Sequence, residues 1–433
     1  MTYTNWALTI ADGAGRSGSD RYSVTKMFEK EYGIKMFSEE HWTMLKNYAS
    51  VMKKERQNTI NVPIEALALN GLIIDENGNF TMDWTNFDRF VETFMTYGSI
   101  KYLESNFLFE KDWSGSDTHL NSNVFVISFS KGEWGNKSDY VFANSEEGIA
   151  AIDKFFTLLY EHLDEKGWSD IWLQHVMDEP YSEGQANVCK GIYARLKNIA
   201  ASVNPQWKLK TIDAENLGLY NSDDLSVLVV QTDRYEREKE LYDSLEANGT
   251  EIWSYTCVNP QFKSEQFPNA EWLTRVGDYP LISTRTIGWY LYERNINGYL
   301  HYGWNAWNNA NGYNIDAEGS QAFDDMYCND AVSDAFLVYP DKENLSVYET
   351  VRSTAVRDGF EDNELIRLAY AVDAKSTQAI VDSIVKTSYD FNHDTSALMN
   401  ARAQLLAIAS CEAGDIDANG SIQANDLVLL RQS

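Results

Sequence analysis

The fold is decided around residues 171–180, which read Ile-Trp-Leu-Gln-His-Val-Met-Asp-Glu-Pro. A mostly apolar run that contains Ile and Val is typical of a buried strand, and this one ends in two adjacent carboxylic acids. Pro180 restricts Glu179 to an extended backbone and stops the strand. The stretch therefore predicts a strand that delivers Asp178 and Glu179 to the rim of a cleft, where carboxylates with shifted pKa values are typical of catalytic sites. Other adjacent acids, such as Glu39 and Glu40, are expected to be solvated surface.

Runs typical of strands and helices alternate on both sides of this stretch. The predicted strands are 6–11, 58–64, 100–104, 171–176, 207–212, 226–231, 251–257 and 299–304. Eight strands that alternate with helices predict an α/β fold, a (β/α)8 TIM barrel, with residues 124–128 as a hairpin strand in an insertion. We expect the catalytic barrel to span residues 1–335 and a C-terminal helical segment, packed on the barrel, to span 336–409. Residues 410–433 form a separate short tail.

Composition excludes several classes of protein. With 36 Lys and Arg against 65 Asp and Glu, the formal net charge is -29, and no basic stripe for a nucleic-acid partner is visible. No apolar run reaches the ~18 residues of a membrane span. Residues 1–10 lack the charged start and cleavage site of a signal peptide. The four cysteines have no C-x-x-C spacing, which favours neither a zinc site nor a disulfide framework.

A (β/α)8 barrel gathers its chemistry at the carboxyl ends of its strands, and here that rim is acidic and aromatic. It has no cationic cluster for phosphate, no metal-binding spacing and no nucleophile elbow, so we expect no cofactor for catalysis. Two carboxylates with aromatic and amide groups are the equipment of glycoside hydrolysis, although a merely polar rim is the alternative. The rim residues are Asp12, Glu104, Asp178, Glu179, Asp213, Asp233, Tyr255, Asn259, Trp304, Asn305 and Trp307.

The adjacency of Asp178 and Glu179 discriminates between mechanisms. Two catalytic carboxylates that flank a sugar stand ~5 to 9 Å apart, whereas neighbouring Cα atoms are only ~3.8 Å apart. An adjacent pair suits a substrate that supplies its own nucleophile, the oxygen of a 2-acetamido group. Asp178 would then orient the amide and stabilise the oxazolinium charge, and Glu179 would protonate the leaving oxygen and later activate water.

Two other functions stay open at this stage. In one, Glu179 is the acid of a hydrolase for a different glycan, and Asp213 or Asp233 is the second carboxylate. In the other, the chain is a carbohydrate-binding scaffold component that has no turnover.

A set of motifs, in this order and spacing, resembles the glycoside hydrolase family 123 catalytic domain over about residues 32–370. The motifs are Asp178-Glu179-Pro180, 253–260 (WSYTCVNP), Arg285 with Gly288-Trp289, 298–307 (GYLHYGWNAW), 337–340 (LVYP) and 357–362 (RDGFED). The family usually carries a β-sandwich before the barrel, and this chain has no room for one before its first long helix. The cluster 357–362 is expected to be a salt-bridge cluster at a helix start that packs the C-terminal helices against the barrel.

The resemblance implies β-N-acetylgalactosaminidase-type chemistry that is substrate-assisted and retaining. Asp178 would orient the acetamido group, Glu179 would be the acid and base, and Tyr255 with Trp304 and Trp307 would line the sugar pocket. With two polar residues from the same rim, the predicted substrate-binding set is Tyr255, Trp304, Trp307, Asp213 and Asn305.

The tail contains a pattern typical of a twelve-residue calcium loop at 415–426, with glycine at its sixth position. The predicted Ca2+ ligands are Asp415, Asp417, Asn419, Ser421 and Asp426. This tail resembles the first repeat of a type I dockerin, which implies a secreted, extracellular protein. Because the chain stops at Ser433, before a second repeat, a cohesin-type scaffold is an expected partner only for a protein with a full dockerin.

Overall fold

The computed structural model describes residues 1–10, 24–75, 77–111, 117–122, 141–260, 271–307, 327–328 and 331–410. Eight strands form one sheet in the order 1-8-7-6-5-4-3-2. The strands are β1 Thr2–Asn5, β2 Thr59–Val62, β3 Tyr102–Ser105, β4 Trp172–His175, β5 Lys210–Ala214, β6 Val227–Gln231, β7 Glu251–Tyr255 and β8 Gly298–His301.

The sheet is parallel and nearly closed. Neighbours from β2 to β7 pair in parallel register, as where Ile212 lies opposite Val227 and His175 opposite Ile212. At the seam, the backbone N–H of Asn58 donates to the carbonyl of Tyr3 at 3.0 Å. Both faces of the strands are buried, which explains continuous apolar runs such as Val-Leu-Val-Val in β6. The predicted (β/α)8 barrel is confirmed.

Thirteen helices are described in these residues. The first eight are α1 Val24–Tyr32, α2 Glu39–Lys54, α3 Ile64–Gly71, α4 Thr85–Tyr97, α5 Glu146–Glu165, α6 Glu183–Val203, α7 Thr232–Arg237 and α8 Lys239–Ala247. The other five are α9 Leu281–Arg285, α10 Ile287–Glu293, α11 Val351–Val372, α12 Ala374–Asp382 and α13 Thr395–Ala409. None of the helices in the described part of the chain has the length and apolarity needed to cross a bilayer.

Short antiparallel pairings decorate the chain outside the barrel. They are Leu72–Ile74 with Phe80–Met82, Phe109–Lys111 with Leu120–Ser122 and then Val141–Phe142, Tyr327–Cys328 with Ala331–Val332, Val338–Asp341 with Ser346–Glu349, and Val385–Thr387 with Asp390–Phe391.

Contacts between residues divide the chain into two compact units. The barrel unit comprises Thr2–Tyr255 and Tyr299–Glu349, and the helical unit comprises Met1, Thr256–Gly298 and Thr350–Ser433. Residues 256–298 thus group with the C-terminal helices, whereas the division predicted from the sequence is continuous along the chain with its boundary after residue 335.

The helical unit is organised around the buried carboxylate of Asp362 on α11. It accepts hydrogen bonds from Arg285 Nε at 2.9 Å, Trp289 Nε1 at 3.1 Å and Arg402 Nε at 2.8 Å. The cluster 357–362 therefore lies in the middle of a long helix, and its predicted place at a helix start was wrong. Its arginine partners come from α9 and α13, so it holds helices of this unit together.

The first strand also differs from its prediction. β1 spans Thr2–Asn5 instead of 6–11, although the next residue still follows the sheet: Trp6 N–H donates to the His301 carbonyl at 2.9 Å. The apolar pattern of 6–11 therefore indicated a strand near the start of the chain, but the residues that form the strand are Thr2–Asn5. The predicted hairpin strand 124–128 and the tail 411–433 lie outside the described residues.

Candidate active site

Strand β4 carries the two predicted catalytic acids out of the sheet. Trp172–His175 are fully buried, whereas Asp178 and Glu179 are both partly exposed. Ser182 then caps α6, its side chain accepting from Gln185 N–H at 3.2 Å. The acids therefore occupy a short turn that a buried strand fixes at one end and a capped helix at the other.

Glu179 has a φ of 50°, in the left-handed region, which corrects the extended backbone predicted for it. Its N–H donates to the carbonyl of Ala214 at the end of β5, at 3.1 Å. A non-glycine residue in this region is uncommon and costs about 1 to 3 kcal/mol, which the surrounding structure must supply. The cross-strand hydrogen bond is one such restraint, and the strain falls on the residue predicted to be the acid.

Two side chains from neighbouring strands hold the Glu179 carboxylate. The Tyr255 hydroxyl, at the end of β7, donates to Glu179 Oε1. Asn216 Nδ2 donates to the Tyr255 oxygen at 2.6 Å and lies 3.5 Å from Glu179 Oε1. The structure thus brings the predicted Tyr255 to Glu179 and adds Asn216, which sequence reasoning missed. Its position two residues beyond a strand end was the available signal.

Asn216 is itself held by its loop. Its Oδ1 accepts from Gln231 N–H at 3.0 Å, and the preceding Glu215 accepts from the backbone N–H of Leu217 and, at 2.9 Å, of Leu219. Burial raises the pKa of Glu215, although these N–H groups oppose the shift. The loop after β5 is therefore folded around a buried carboxylate, which aims Asn216 at Tyr255.

Asp178 has an environment that resists its ionisation. Burial, then the charge of Glu179, raises the pKa of Asp178 to about 7, while His175 and Lys111 act in the opposite direction. Two adjacent carboxylates do not ionise independently, so the pair holds its last proton up to about pH 7. A pair with a single proton can provide an acid and an anion together.

Beneath the pair, His175 lies between two carboxylates inside the barrel. Its Nδ1 is 3.3 Å from Glu104 Oε1 and its Nε2 is 3.4 Å from Asp213 Oδ1. Asp213 is 0% exposed and also accepts from the Tyr220 hydroxyl at 2.6 Å. The predicted substrate-binding residue Asp213 is therefore buried and bound to other side chains of the barrel.

Asp233, the other alternative second carboxylate, lies in the first turn of α7 and is buried beside Arg237 at 3.3 Å. With Asp213 and Asp233 both in ion pairs, the arrangement favours the adjacent acids over either two-strand pair.

The remaining predicted substrate-binding residues occupy packing positions. Trp304 and Trp307 are 0% exposed; their indole N–H groups donate to Glu55 at 2.8 Å and to the Val338 carbonyl at 2.7 Å. Asn305 is equally buried, and it exchanges hydrogen bonds with the backbone of Leu8 at 2.7 and 2.9 Å. An indole with no exposed surface offers no face to a sugar.

The predicted calcium ligands Asp415, Asp417, Asn419, Ser421 and Asp426 lie outside the described residues.

Comparison with known proteins identifies the family of this barrel. The family model described as "Glycoside hydrolase 123, catalytic domain" matches residues 24–369. No curated protein sequence matches the chain.

Among solved structures, the chain is similar to a family 123 glycoside hydrolase from Clostridium perfringens, studied for glycolipid glycan hydrolysis. The identity is 15%, with 100% of this chain and 71% of the other covered, and the TM-score is 0.60. A GH39 β-xylosidase from Caulobacter crescentus follows at 12% identity, with coverages of 74% and 67% and a TM-score of 0.43. At 15% identity the family 123 structure informs on the fold alone.

Proposed function

The chain belongs to the glycoside hydrolase 123 family, and on that premise we propose that it cleaves a β-linked 2-acetamido sugar, N-acetylgalactosamine, by a substrate-assisted retaining mechanism. The observation that carries the proposal is the adjacent pair Asp178 and Glu179, of which Glu179 is held by Tyr255 and Asn216. The other candidate carboxylates, Asp213 and Asp233, are in ion pairs. A nucleophile supplied by the substrate removes the need for a second carboxylate across the ring.

In the first step, the acetamido carbonyl oxygen attacks C1 while the bond from C1 to the leaving oxygen breaks. Glu179 transfers its proton to that oxygen. Asp178 accepts a hydrogen bond from the acetamido N–H, and its negative charge stabilises the positive oxazolinium ring. Before substrate binds, burial and the charge of Glu179 raise the pKa of Asp178 and favour its protonated form. An N–H that donates to Asp178 favours its anion, so substrate binding shifts the proton to Glu179.

In the second step, the Glu179 carboxylate takes a proton from water, and the water oxygen attacks C1. The ring opens, the acetamido group is restored, and the sugar leaves with the β configuration it had in the substrate. Glu179 is again protonated, so the pair returns to its starting state.

Tyr255 and Asn216 orient the acid in this scheme. Both described hydrogen bonds reach Oε1 of Glu179, so we assign Oε2 to proton transfer. Orientation within a few tenths of an ångström is needed for efficient transfer, and a hydrogen-bonded chain between strand ends provides it.

The experiment that tests this function measures release of 4-nitrophenol from the β-N-acetylgalactosaminide, the β-N-acetylglucosaminide and the β-galactoside. We expect turnover of acetamido sugars alone, highest for the galactosaminide, and a loss of 10²-fold or more in Glu179→Gln. Proton NMR of the first product should show the β anomer. The matched control is Glu183→Gln, an exposed residue on α6. Comparable turnover of the plain galactoside would contradict substrate assistance.

The tail supports a separate proposal that rests on composition alone. We propose that residues 415–426 bind Ca2+, that a full dockerin would recognise a cohesin-type scaffold, and that the protein acts outside the cell. Calorimetric titration of the chain with Ca2+, compared with Asp415→Ala, tests the first of these; equal heats in both proteins would contradict it.

A further inference from the structure

A buried cluster of charges lies inside the barrel, one layer below the catalytic pair. We call Glu104, His175 and Asp213 the charge clamp. They come from the neighbouring strands β3, β4 and β5, and each is at most 1% exposed. Each ring nitrogen of His175 faces one carboxylate, at 3.3 and 3.4 Å. Three ionisable groups this deeply buried are costly unless their charges offset one another.

The clamp keeps its imidazole charged. Burial disfavours the imidazolium, but interactions with Asp213 and Glu104 outweigh burial and raise the pKa of His175 to about 10. Partners on the far sides hold the carboxylates: Trp6 Nε1 donates to Glu104 at 3.1 Å and the Tyr220 hydroxyl to Asp213 at 2.6 Å.

The clamp acts electrostatically on Asp178. His175 is the last residue of β4 and precedes Asp178 by three residues. Its charge favours the Asp178 anion, whereas Asp213 and Glu179 disfavour it. The titratable and charged groups around the clamp and the pair are Glu104, Asp213, Asp178, Glu179, Lys111, Cys189, Tyr193 and Tyr220.

We propose that His175, held between Glu104 and Asp213, is a positioning residue whose positive charge favours the Asp178 anion once the acetamido N–H is bound and Glu179 holds the proton. This inference rests on the proposed function, because it assigns a purpose to the Asp178 anion. Without the positive charge of His175, the charges of Asp213 and Glu179 would disfavour the Asp178 anion. A neutral Asp178 would stabilise the positive oxazolinium ring less. The imidazolium supplies the positive charge without touching the sugar.

Two substitutions in the clamp have opposite effects on the pH profile of kcat/KM. The alkaline limb, near pH 7, marks loss of the last proton of the pair. Asp213→Asn removes a negative charge and should lower that limb by about one pH unit. His175→Gln removes the positive charge and should raise the limb by up to about one unit. A purely structural role would reduce the rate without moving the limb in opposite directions.

The experiment records these profiles on the galactosaminide, with His162→Gln as the control. His162, on α5, is a buried imidazole that lies 2.6 Å from Asp88 of α4. His162→Gln therefore shows the effect of losing a buried histidine that lies away from the catalytic pair. Limbs that stay in place, or move in the same direction, in the two clamp variants overturn the proposal. If His175→Gln does not fold, Asp213→Asn decides: a lowered limb supports the proposal, and an unchanged or raised limb overturns it.

A second readout separates this proposal from the proposed function. The carboxyl ¹³C shift of Asp178, assigned by its absence in Asp178→Asn, reports the ionisation of Asp178 without turnover. If the parent protein cleaves no acetamido sugar, the proposed function fails. The same opposite shifts in the Asp178 titration would still establish the electrostatic link, and their absence would overturn it.

Discussion

Replacing Asp178 by Asn should stabilise the protein, and by an amount that depends on pH. Burial removes water from around the carboxyl of Asp178, and the charge of Glu179 lies next to it. Both effects raise the pKa of Asp178 from 3.8 to about 7. The native structure therefore resists the Asp178 anion, while the unfolded chain does not. Asn has the same shape and no proton to lose, so it removes this penalty.

The sign follows from the two protonation states. Below about pH 4 the carboxyl is neutral in the folded and the unfolded chain, and Asp178 imposes no ionisation penalty. Between about pH 4 and pH 7 only the unfolded chain loses the proton, so the stability of the parent protein falls as pH rises. Above about pH 7 both states are ionised and the penalty is constant.

The magnitude is bounded by the shift itself. A change from 3.8 to about 7 corresponds to roughly 4 kcal/mol at about 1.4 kcal/mol per unit. Asp178 is partly exposed, so we expect about 2 to 4 kcal/mol. At about 2 °C per kcal/mol for a protein of this size, Asp178→Asn should raise the Tm by roughly 4 to 8 °C at pH 8.

Scanning calorimetry from pH 4 to pH 8 measures this difference in Tm between variant and parent. The control is Asp223→Asn, which makes the same substitution at an exposed carboxyl. A Tm difference for Asp178→Asn that stays constant across the range would refute the reasoning, since it would show that Asp178 ionises as readily in the folded chain as in the unfolded one.

Three further outcomes are expected. Tyr255→Phe removes the hydroxyl that donates to Glu179, so kcat should fall by about 10- to 100-fold with little change in Tm; steady-state kinetics measures this, and an unchanged kcat would count against the orienting role. Asp362→Asn leaves two arginines without their buried anion and should cost about 3 to 5 kcal/mol in denaturant unfolding, whereas the more exposed Asp358→Asn should cost under about 1 kcal/mol. Ser182→Ala removes the cap of α6 and should cost about 1 kcal/mol; a loss indistinguishable from zero would show that the cap is redundant.

The barrel and its acidic rim were predictable because their signals are local. A parallel strand buried on both faces needs a continuous apolar run. The first polar residues after that run mark the end of the strand, as Asp178 and Glu179 do here. Seven of the eight predicted strands overlap the observed ones. The exception is the predicted strand 6–11. The partner strand, here β8, decides which residues of such a run are paired, and the run itself carries no information about that partner.

Tertiary structure decided which of the rim side chains are exposed and which are buried. Trp304 and Trp307 look the same in sequence whether they fill a core or support a sugar, and only their 0% exposure and inward N–H donors distinguish the two. Asn216 reaches Glu179 because a buried carboxylate folds its loop, a relation between separate strands. The raised pKa of Asp178 likewise depends on burial and on charges that lie far apart in the chain. Sequence by itself determined the strand, its acids and the class of chemistry, since these depend on neighbouring residues; the state and orientation of the acids required the packed barrel, because burial and charge are properties of the assembled fold.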